Sequence, residues 1–322
     1  MKELKYDWTK AEVDALFELP FFELAHQAQT IHRLWHPASE IQLCTLSNIK
    51  QGGCPEDCAY CPQAARYHTD VEAEPLLSVS TVLDQARIAK EHGASRFCMG
   101  AAWRHVRDNE EFDQVLSMVR EVADMGLEVC ATLGMVNNDQ AQRLADAGLY
   151  AYNHNIDTSP DFYDQIISTR TFDERIETLQ AVRDAGITVC CGGILGMGEE
   201  TTDRAAMLHV LATMDPHPES VPINRLVKAP GTPLEDQDDL DIFDFLRTIA
   251  VARILMPGSM VRLAAGRTEM SREAQALAFL LGANSIFYGE KLLTTPNPEA
   301  NEDRELLEVL GLEPRLAQPP TR

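Results

Sequence analysis

The chain has 322 residues, 45% of them hydrophobic, which is enough for one large domain or two ordinary ones. Its formal charge of −22, without a basic block, argues against nucleic acid or an anionic membrane surface as partner, because phosphate binding needs a basic footprint. Neither a basic n-region followed by an apolar h-region nor a run of eighteen apolar residues is present, so no secretory signal or membrane span is expected.

Residues 1–40 predict a helical lead-in, with Trp8-Thr9-Lys10-Ala11-Glu12 patterned as a capped helix start. A first strand is expected over 43–49. After it, one phrase returns: a helical run, a Gly, then a short β-type run. The glycines are Gly93, Gly126, Gly148, Gly186 and Gly282. Glycine suits the left-handed position just past a helix end, and the β-branched and aromatic residues after it suit a buried strand. Further strands are expected over 221–227 and 260–265, and helices over 80–92, 110–125, 138–147, 172–185, 202–213, 240–256 and 271–281. That makes roughly eight strand–helix units, an alternation that implies parallel strands with crossover helices. The count favours a closed (β/α)8 barrel of TIM type. An open doubly wound sheet is permitted by the same alternation, although no strand is followed by a Gly-x-Gly-x-x-Gly turn. The expected organisation is a lead-in over 1–40, a barrel over 41–300 and a C-terminal segment over 301–322 ending in a loose, Pro-rich tail.

Eight cysteines without a signal sequence read as metal ligands rather than a disulfide framework, and place the chain in the cytoplasm. The run Cys54-Pro-Glu-Asp-Cys58-Ala-Tyr-Cys61 can hold three corners of an iron–sulfur cube and leave one iron open. Zinc also accepts thiolates, but its structural sites take four ligands, usually as two close pairs. The loop falls after the first strand, at the end where barrel active sites collect, and Gly52 and Gly53 would let the backbone wrap a bulky inorganic body.

Cys98, Cys130 and Cys190 each follow a recurring glycine by four or five residues, so they would sit at matched depth on three strands. A lone strand cysteine is usually a small buried hydrophobe; three at one depth could ligate a second metal centre inside the barrel. Side chains alternate along a strand, so only one of Cys190 and Cys191 can point inward. Arg96 shares a face with Cys98, and Arg262 raises the same question of how a buried guanidinium is paired. Tyr152-Asn-His-Asn-Ile-Asp-Thr158 is rich in hydrogen-bonding groups for a strand and its exit. His154 reads there as a satisfied structural histidine. Gly192-Gly-Ile-Leu-Gly196-Met-Gly-Glu199 would allow close backbone approach to a ligand, and Asn224 is a mid-strand amide that needs partners.

Cys-x-x-x-Cys-x-x-Cys with Tyr60 before its third cysteine resembles the radical S-adenosylmethionine superfamily, as does the Gly192–Glu199 segment. More closely, Arg96-Phe-Cys98-Met-Gly-Ala-Ala-Trp103, Tyr152 to Pro160, Ser220-Val-Pro-Ile-Asn224, Val261-Arg262-Leu-Ala-Ala-Gly-Arg267 and Asn284-Ser-Ile-Phe-Tyr-Gly289 resemble the biotin synthase family, over residues 8 to 313. The resemblance implies a 4Fe–4S cluster on Cys54, Cys58 and Cys61 whose open iron takes S-adenosylmethionine, and a 2Fe–2S cluster on Cys98, Cys130, Cys190 and Arg262. It implies Tyr60 against the adenine, Asn155 and Asp157 on the ribose, and Arg175 on the methionine carboxylate. Asn153, Asn155 and Asn224 become candidates for the ureido ring of dethiobiotin. The implied reaction is radical insertion of sulfur into dethiobiotin, with a flavodoxin-type electron donor and a homodimer. Cys191 departs from the family, which usually carries a small polar residue there. Another radical enzyme would keep the first loop but leave Cys98, Cys130, Cys190 and Arg262 unexplained. An electron carrier would need no Asn-rich strand ends.

Overall fold

Five glycines set the rhythm of the chain. Gly93, Gly126, Gly148, Gly186 and Gly282 all have φ between 74° and 112°, each just past a helix and a few residues before a strand. In that left-handed region a Cβ is costly, so glycine ends the helix and turns the chain inward. The computed structural model describes residues 3–289 and 292–317. Its strands are β1 Glu40–Lys50, β2 Arg96–Ala101, β3 Glu128–Thr132, β4 Ala151–Asn153, β5 Thr188–Cys190, β6 Gly193–Leu195, β7 Ser220–Arg225, β8 Met260–Leu263, β9 Ser285–Phe287 and β10 Glu313–Pro314. Its helices are α1 Lys10–Glu18, α2 Phe21–Trp35, α3 Val79–Glu91, α4 Glu110–Asp124, α5 Asn138–Asp146, α6 Tyr163–Ile166, α7 Phe172–Asp184, α8 Thr201–Ala212, α9 Ile242–Leu255, α10 Arg272–Leu280 and α11 Ala300–Leu310.

Every strand pair among the described residues is parallel, in the order β1-β2-β3-β4-β5-β7-β8-β9. The last strand returns to the first, Gln42 opposite Ser285, so the sheet closes into a (β/α)8 barrel and the open-sheet alternative fails. β6 continues the fifth strand beside β7. The kink between β5 and β6 explains Gly192 and Gly193. A Cβ on Gly192 would lie 1.9 Å from the Pro222 carbonyl oxygen, and one on Gly193 2.1 Å from Met207 Sδ. These glycines serve strand packing, and Ile194 beside them lines the cavity within the barrel.

Most helices cover the ring through one apolar face, while α9 is buried on nearly every side, between the ring and α1 and α2. In α4, Phe112, Val115, Val119 and Val122 are fully buried, and the Asn109 side chain accepts from Phe112 N at 3.1 Å as the N-cap. Each such side chain contributes about 1.5–3 kcal/mol on burial. The expected cap at Thr9 forms as a capping box, Thr9 N donating to Glu12 Oε2 at 2.8 Å. α1 and α2 then pack on the barrel, where Arg247 donates to the Phe17 and Leu19 carbonyls at 3.0 and 2.6 Å.

The expectation of a loose C-terminal tail is corrected for residues up to 315. α11 buries Leu306, Leu307 and Asp303, and Asp303 pairs with the fully buried Arg267. Beyond it, Glu313 and Pro314 pair with Glu40 and Ile41 of β1. The high charge of this segment hides an amphipathic helix whose apolar residues are few but correctly spaced. The rest of the expected tail, 318–322, lies outside the described residues. Among the described residues, no helix is long and apolar enough to cross a membrane.

Candidate active site

The loop after β1 carries Cys54, Cys58 and Cys61. Gly52 and Gly53 precede it at φ 67° and 68°, and a Cβ on Gly52 would lie 2.6 Å from Glu72 O. They therefore let the loop fold against the residue 72–73 segment. Backbone bonds pin the three thiol positions: Cys54 N to Gln63 O at 3.0 Å, Ala65 N to Cys54 O at 2.8 Å and Cys61 N to Cys58 O at 2.9 Å. Asp57 ties the loop across the barrel mouth, accepting from Ser168 N at 2.9 Å and Thr169 N at 3.1 Å. Burial raises the Asp57 carboxyl, but hydrogen bonds from Ser168 and Thr169 prevail and hold it at about 2. Burial pushes the Cys58 and Cys61 thiols up to about 11 and about 12, and raises Cys54 as well. These thiols keep their protons until a metal displaces them.

Deeper in the barrel, strand register builds a second set. Cys98 of β2 stands opposite Cys130 of β3, and Cys190 of β5 joins them. Cys191 turns the other way into the apolar core, as strand alternation requires. Arg262 of β8 reaches this group, its Nη1 3.6 Å from Cys190 Sγ and its Nε donating to Ser285 Oγ at 2.9 Å. Arg96 faces the thiols and pairs with Glu128 at 2.8 Å; the same carboxylate accepts from Gln42 at 3.0 Å. Cys44 was not among the expected ligands. It lies in β1 on the inner face, completing a cluster of four buried thiols, with Arg262 Nη2 at 3.2 Å from its sulfur. Its signal was present in principle, since Cys44 pairs in register with Arg96, two residues from Cys98.

The thiols share charge among themselves. Hydrogen bonds from Cys190 and Cys98 hold Cys130 well below the usual thiol range despite burial, and the same bonds raise Cys98 and Cys190. Burial raises Cys44, but its bond with Cys98 and the charge of Arg262 bring it down to about 6. Arg96 Nη1 and Ser220 Oγ, beside this ring, are buried without a hydrogen-bond partner. Soft anionic donors with unsatisfied buried donors behind them fit an iron–sulfur body that accepts hydrogen bonds at its sulfurs. Among the described residues no three Cys, His, Asp or Glu side chains converge on one ion, and the ligands of a cluster stand wider apart than those of a single ion.

A cavity of about 310 Å³ lies between the two sets, walled by Cys54, Cys58 and Cys61 above and Cys98, Cys130 and Arg262 below. Cys190 sits behind this wall. Tyr60, Asn153, Asn155, Asp157, Arg175 and Asn224 also face the cavity, so sequence-distant candidates meet in one place. Asp157 holds φ 67°, rare for a residue with a side chain, and accepts from Tyr60 Oη at 2.9 Å and Arg175 Nη2 at 2.5 Å. Arg175 also donates to Tyr163 Oη at 2.6 Å and Asn155 O at 2.5 Å. Expected to touch different parts of one ligand, Asp157 and Arg175 engage each other here.

The three amides differ in how far they are committed. Asn224 uses both ends on backbone, donating to Gly193 O at 2.9 Å and accepting from Ala265 N at 3.1 Å. Asn153 donates to Asn155 Oδ1 at 3.1 Å and lies 3.3 Å from Cys190 Sγ, so it links the polar wall to the thiol ring. His154 is not the satisfied histidine expected: its buried Nε2 has no partner, and burial drives its basicity far down, leaving a neutral ring. Glu199 accepts from Gly196 N at 2.9 Å and Met197 N at 2.7 Å and pairs with Arg204, which fixes the turn after β6.

Residues 48–211 match the radical SAM superfamily, and residues 222–313 match the biotin and thiamin synthesis associated domain. The two matches meet between α8 and β7, inside the single ring. The chain is 59% identical to a biotin synthase of Cytophaga hutchinsonii over 98% of its own length and 94% of the relative's. It is 62% identical to one from Nitrosococcus oceani, over 96% and 89%. Among solved structures, methylornithine synthase superposes with a TM-score of 0.80 at 18% identity, covering 96% of this chain and 95% of that one. The hydrogenase maturase HydG gives 0.81 at 18% identity, over 96% and 72%; at such identities both similarities speak for the fold.

Proposed function

The chain belongs to the biotin synthase family of radical S-adenosylmethionine enzymes, and on that premise we propose how its residues share the reaction. The reaction is sulfur insertion into dethiobiotin, with a 4Fe–4S cluster, a 2Fe–2S cluster and S-adenosylmethionine as cofactors. When bound, these groups supply reductive carbon–hydrogen activation and the inserted sulfur. Everything else is left to the protein.

Cys54, Cys58 and Cys61 are assigned to the 4Fe–4S cluster, and Cys98, Cys130 and Cys190, with Arg262 at the fourth corner, to the 2Fe–2S cluster. Tyr60, Asn155, Asp157 and Arg175 are assigned to S-adenosylmethionine, with the Asp157–Arg175 pair opening to meet it. Asn153 and Asn155 are the better ureido partners. Asn224 has both amide ends committed to backbone and serves the substrate through the shape of its strand end. The barrel floor below the cavity, where Arg96, Arg262 and the thiols are all buried, excludes water from a reaction that water and oxygen would divert. The single observation carrying this division is that Cys54, Cys58 and Cys61 from one set and Cys98 and Cys130 from the other open on one cavity of about 310 Å³.

Eight free cysteines suit a reducing cytoplasm. A flavodoxin-type donor and a homodimer belong to the same proposal, carried by the family resemblance. The test is an anaerobic incubation of reconstituted protein with reductant, S-adenosylmethionine and dethiobiotin, quantifying biotin and 5′-deoxyadenosine by mass spectrometry. Both products are expected. 5′-Deoxyadenosine without biotin, from protein holding both clusters, would overturn the substrate assignment.

A further inference from the structure

The chain has a formal charge of −22 and no basic run in its sequence, yet the fold gathers positive side chains beside the barrel mouth. A cleft of about 520 Å³ there is lined by Lys50 at the end of β1 and by Arg104 and Arg107 in the loop after β2. Among its described lining residues, Glu111 is the one carboxylate. Arg104 is committed to Glu56 at 3.5 Å and Glu174 at 3.8 Å. Lys50 and Arg107 have no ion pair or side-chain hydrogen bond among the described residues; Arg107 is exposed and Lys50 half-buried.

The cleft also meets the loop of three cysteines. Gly53 and Pro55, exposed on either side of Cys54, line it. Trp103 lines both this cleft and the cavity of about 310 Å³ that Cys54 faces, so the two spaces share a wall. Reductive cleavage of S-adenosylmethionine takes an electron from outside the chain, and this is where the outside comes nearest to Cys54. An acidic partner is repelled by the net charge of the molecule, and a local positive face can draw it in only within about 8–10 Å at physiological salt.

We propose that this cleft is the docking surface for an acidic one-electron carrier protein, with Lys50 and Arg107 holding its carboxylates against the Cys54 loop. This rests on the reading that Cys54, Cys58 and Cys61 hold the four-iron cluster. In the encounter the carrier loses one electron and the four-iron group gains it; no bond of the chain forms or breaks.

Binding is the first readout and needs no turnover. Flavodoxin, an acidic flavin protein, is titrated calorimetrically into the cluster-loaded full chain at low and at physiological salt. Arg107→Glu should raise Kd about tenfold at low salt, and Lys50→Glu combined with it should raise Kd further and remove most of the salt dependence. Lys10→Glu, an equal change of charge on α1, which packs on α8 and α9 across the ring, should stay within about twofold of the parent. 5′-Deoxyadenosine formation driven by dithionite, a small reductant that needs no docking surface, should match the parent in every variant, while the flavodoxin-driven rate falls with affinity. Parent-like affinity in Arg107→Glu, or an equal loss in Lys10→Glu, overturns the docking surface and leaves the reading beneath it standing. Loss of the dithionite-driven product in the variants also overturns it, since the charges would then serve the cluster and not a partner. If the parent itself, holding its four-iron cluster, makes no 5′-deoxyadenosine with dithionite, that reading falls and the proposal with it.

Discussion

The mouth and the floor of this barrel hold similar thiols by opposite means. At the mouth, Cys54, Cys58 and Cys61 fall within eight residues, and a loop positions them through its own backbone bonds and the Asp57 clamp. At the floor, Cys44, Cys98, Cys130 and Cys190 come from four strands, positioned by the sheet register that also builds the core. A loop site can be recognised by spacing and can give way locally. A register site cannot shift without shifting the strands, since a slip of one residue would turn every side chain to the other face. The price of the floor's rigidity is two guanidinium groups buried among thiols.

The sharpest way to break the comparison is to remove one thiol from each region. Cys54→Ala should abolish 5′-deoxyadenosine formation, at least about 10³-fold below the parent, because the group that makes it is no longer held. Cys130→Ala should lose biotin to a similar extent yet retain part of the 5′-deoxyadenosine. Equal loss of both products in both variants, measured side by side, would dissolve the division between mouth and floor.

Next in size is the buried pair behind the floor. Glu128→Ala takes from Arg96 its carboxylate partner and leaves it only the thiols, costing about 3 kcal/mol and visible as a marked fall in the melting temperature of the apoprotein. The loss should shrink when the inner cluster is loaded, since an anionic body beside Arg96 replaces the missing carboxylate. A loss of equal size in both forms would mean that Arg96 does not sense the cluster.

The smallest effect belongs to the mouth. Asp57→Asn weakens a set of charge-assisted hydrogen bonds and should cost about 1–2 kcal/mol at neutral pH. The folded carboxyl, held at about 2, lies below its ordinary unfolded value near 4. Its stabilisation is therefore complete above about pH 4 and is lost as pH falls toward 2. The melting-temperature gap between parent and variant should close over that window in the apoprotein. A gap constant from pH 4 to pH 2 would show that the clamp acts through shape and not charge.

The same contrast explains what the sequence disclosed. Recurrent helix–Gly–strand phrases are local, so the strand count, the alternation and most helix bounds were readable, as was the loop of three cysteines. The equal depth of Cys98, Cys130 and Cys190 was also readable, because each is counted from its own glycine. Cys44 escaped because β1 has no such glycine ahead of it, and its depth is fixed only by pairing with β2 and β9. The mutual pairing of Asp157 and Arg175 and the orphaned Nε2 of His154 depend on side-chain packing across strands and leave no periodic trace. α11 was missed for a different reason: its burial rests on Leu306, Leu307 and one ion pair within a charged stretch.

Closure of the ring between β9 and β1 also imposes an order on the chain's biosynthesis. Cys44 and Arg262 are 218 residues apart. At about 5–20 residues per second of synthesis, the first thiol waits roughly ten to forty seconds before its arginine exists. The loop of Cys54, Cys58 and Cys61 is complete within a second or two of its first cysteine. On the proposed assignment, iron delivered during translation would find the mouth's ligands assembled and the floor's still scattered along a growing chain, so the inner site would be filled only after the last strands have been made.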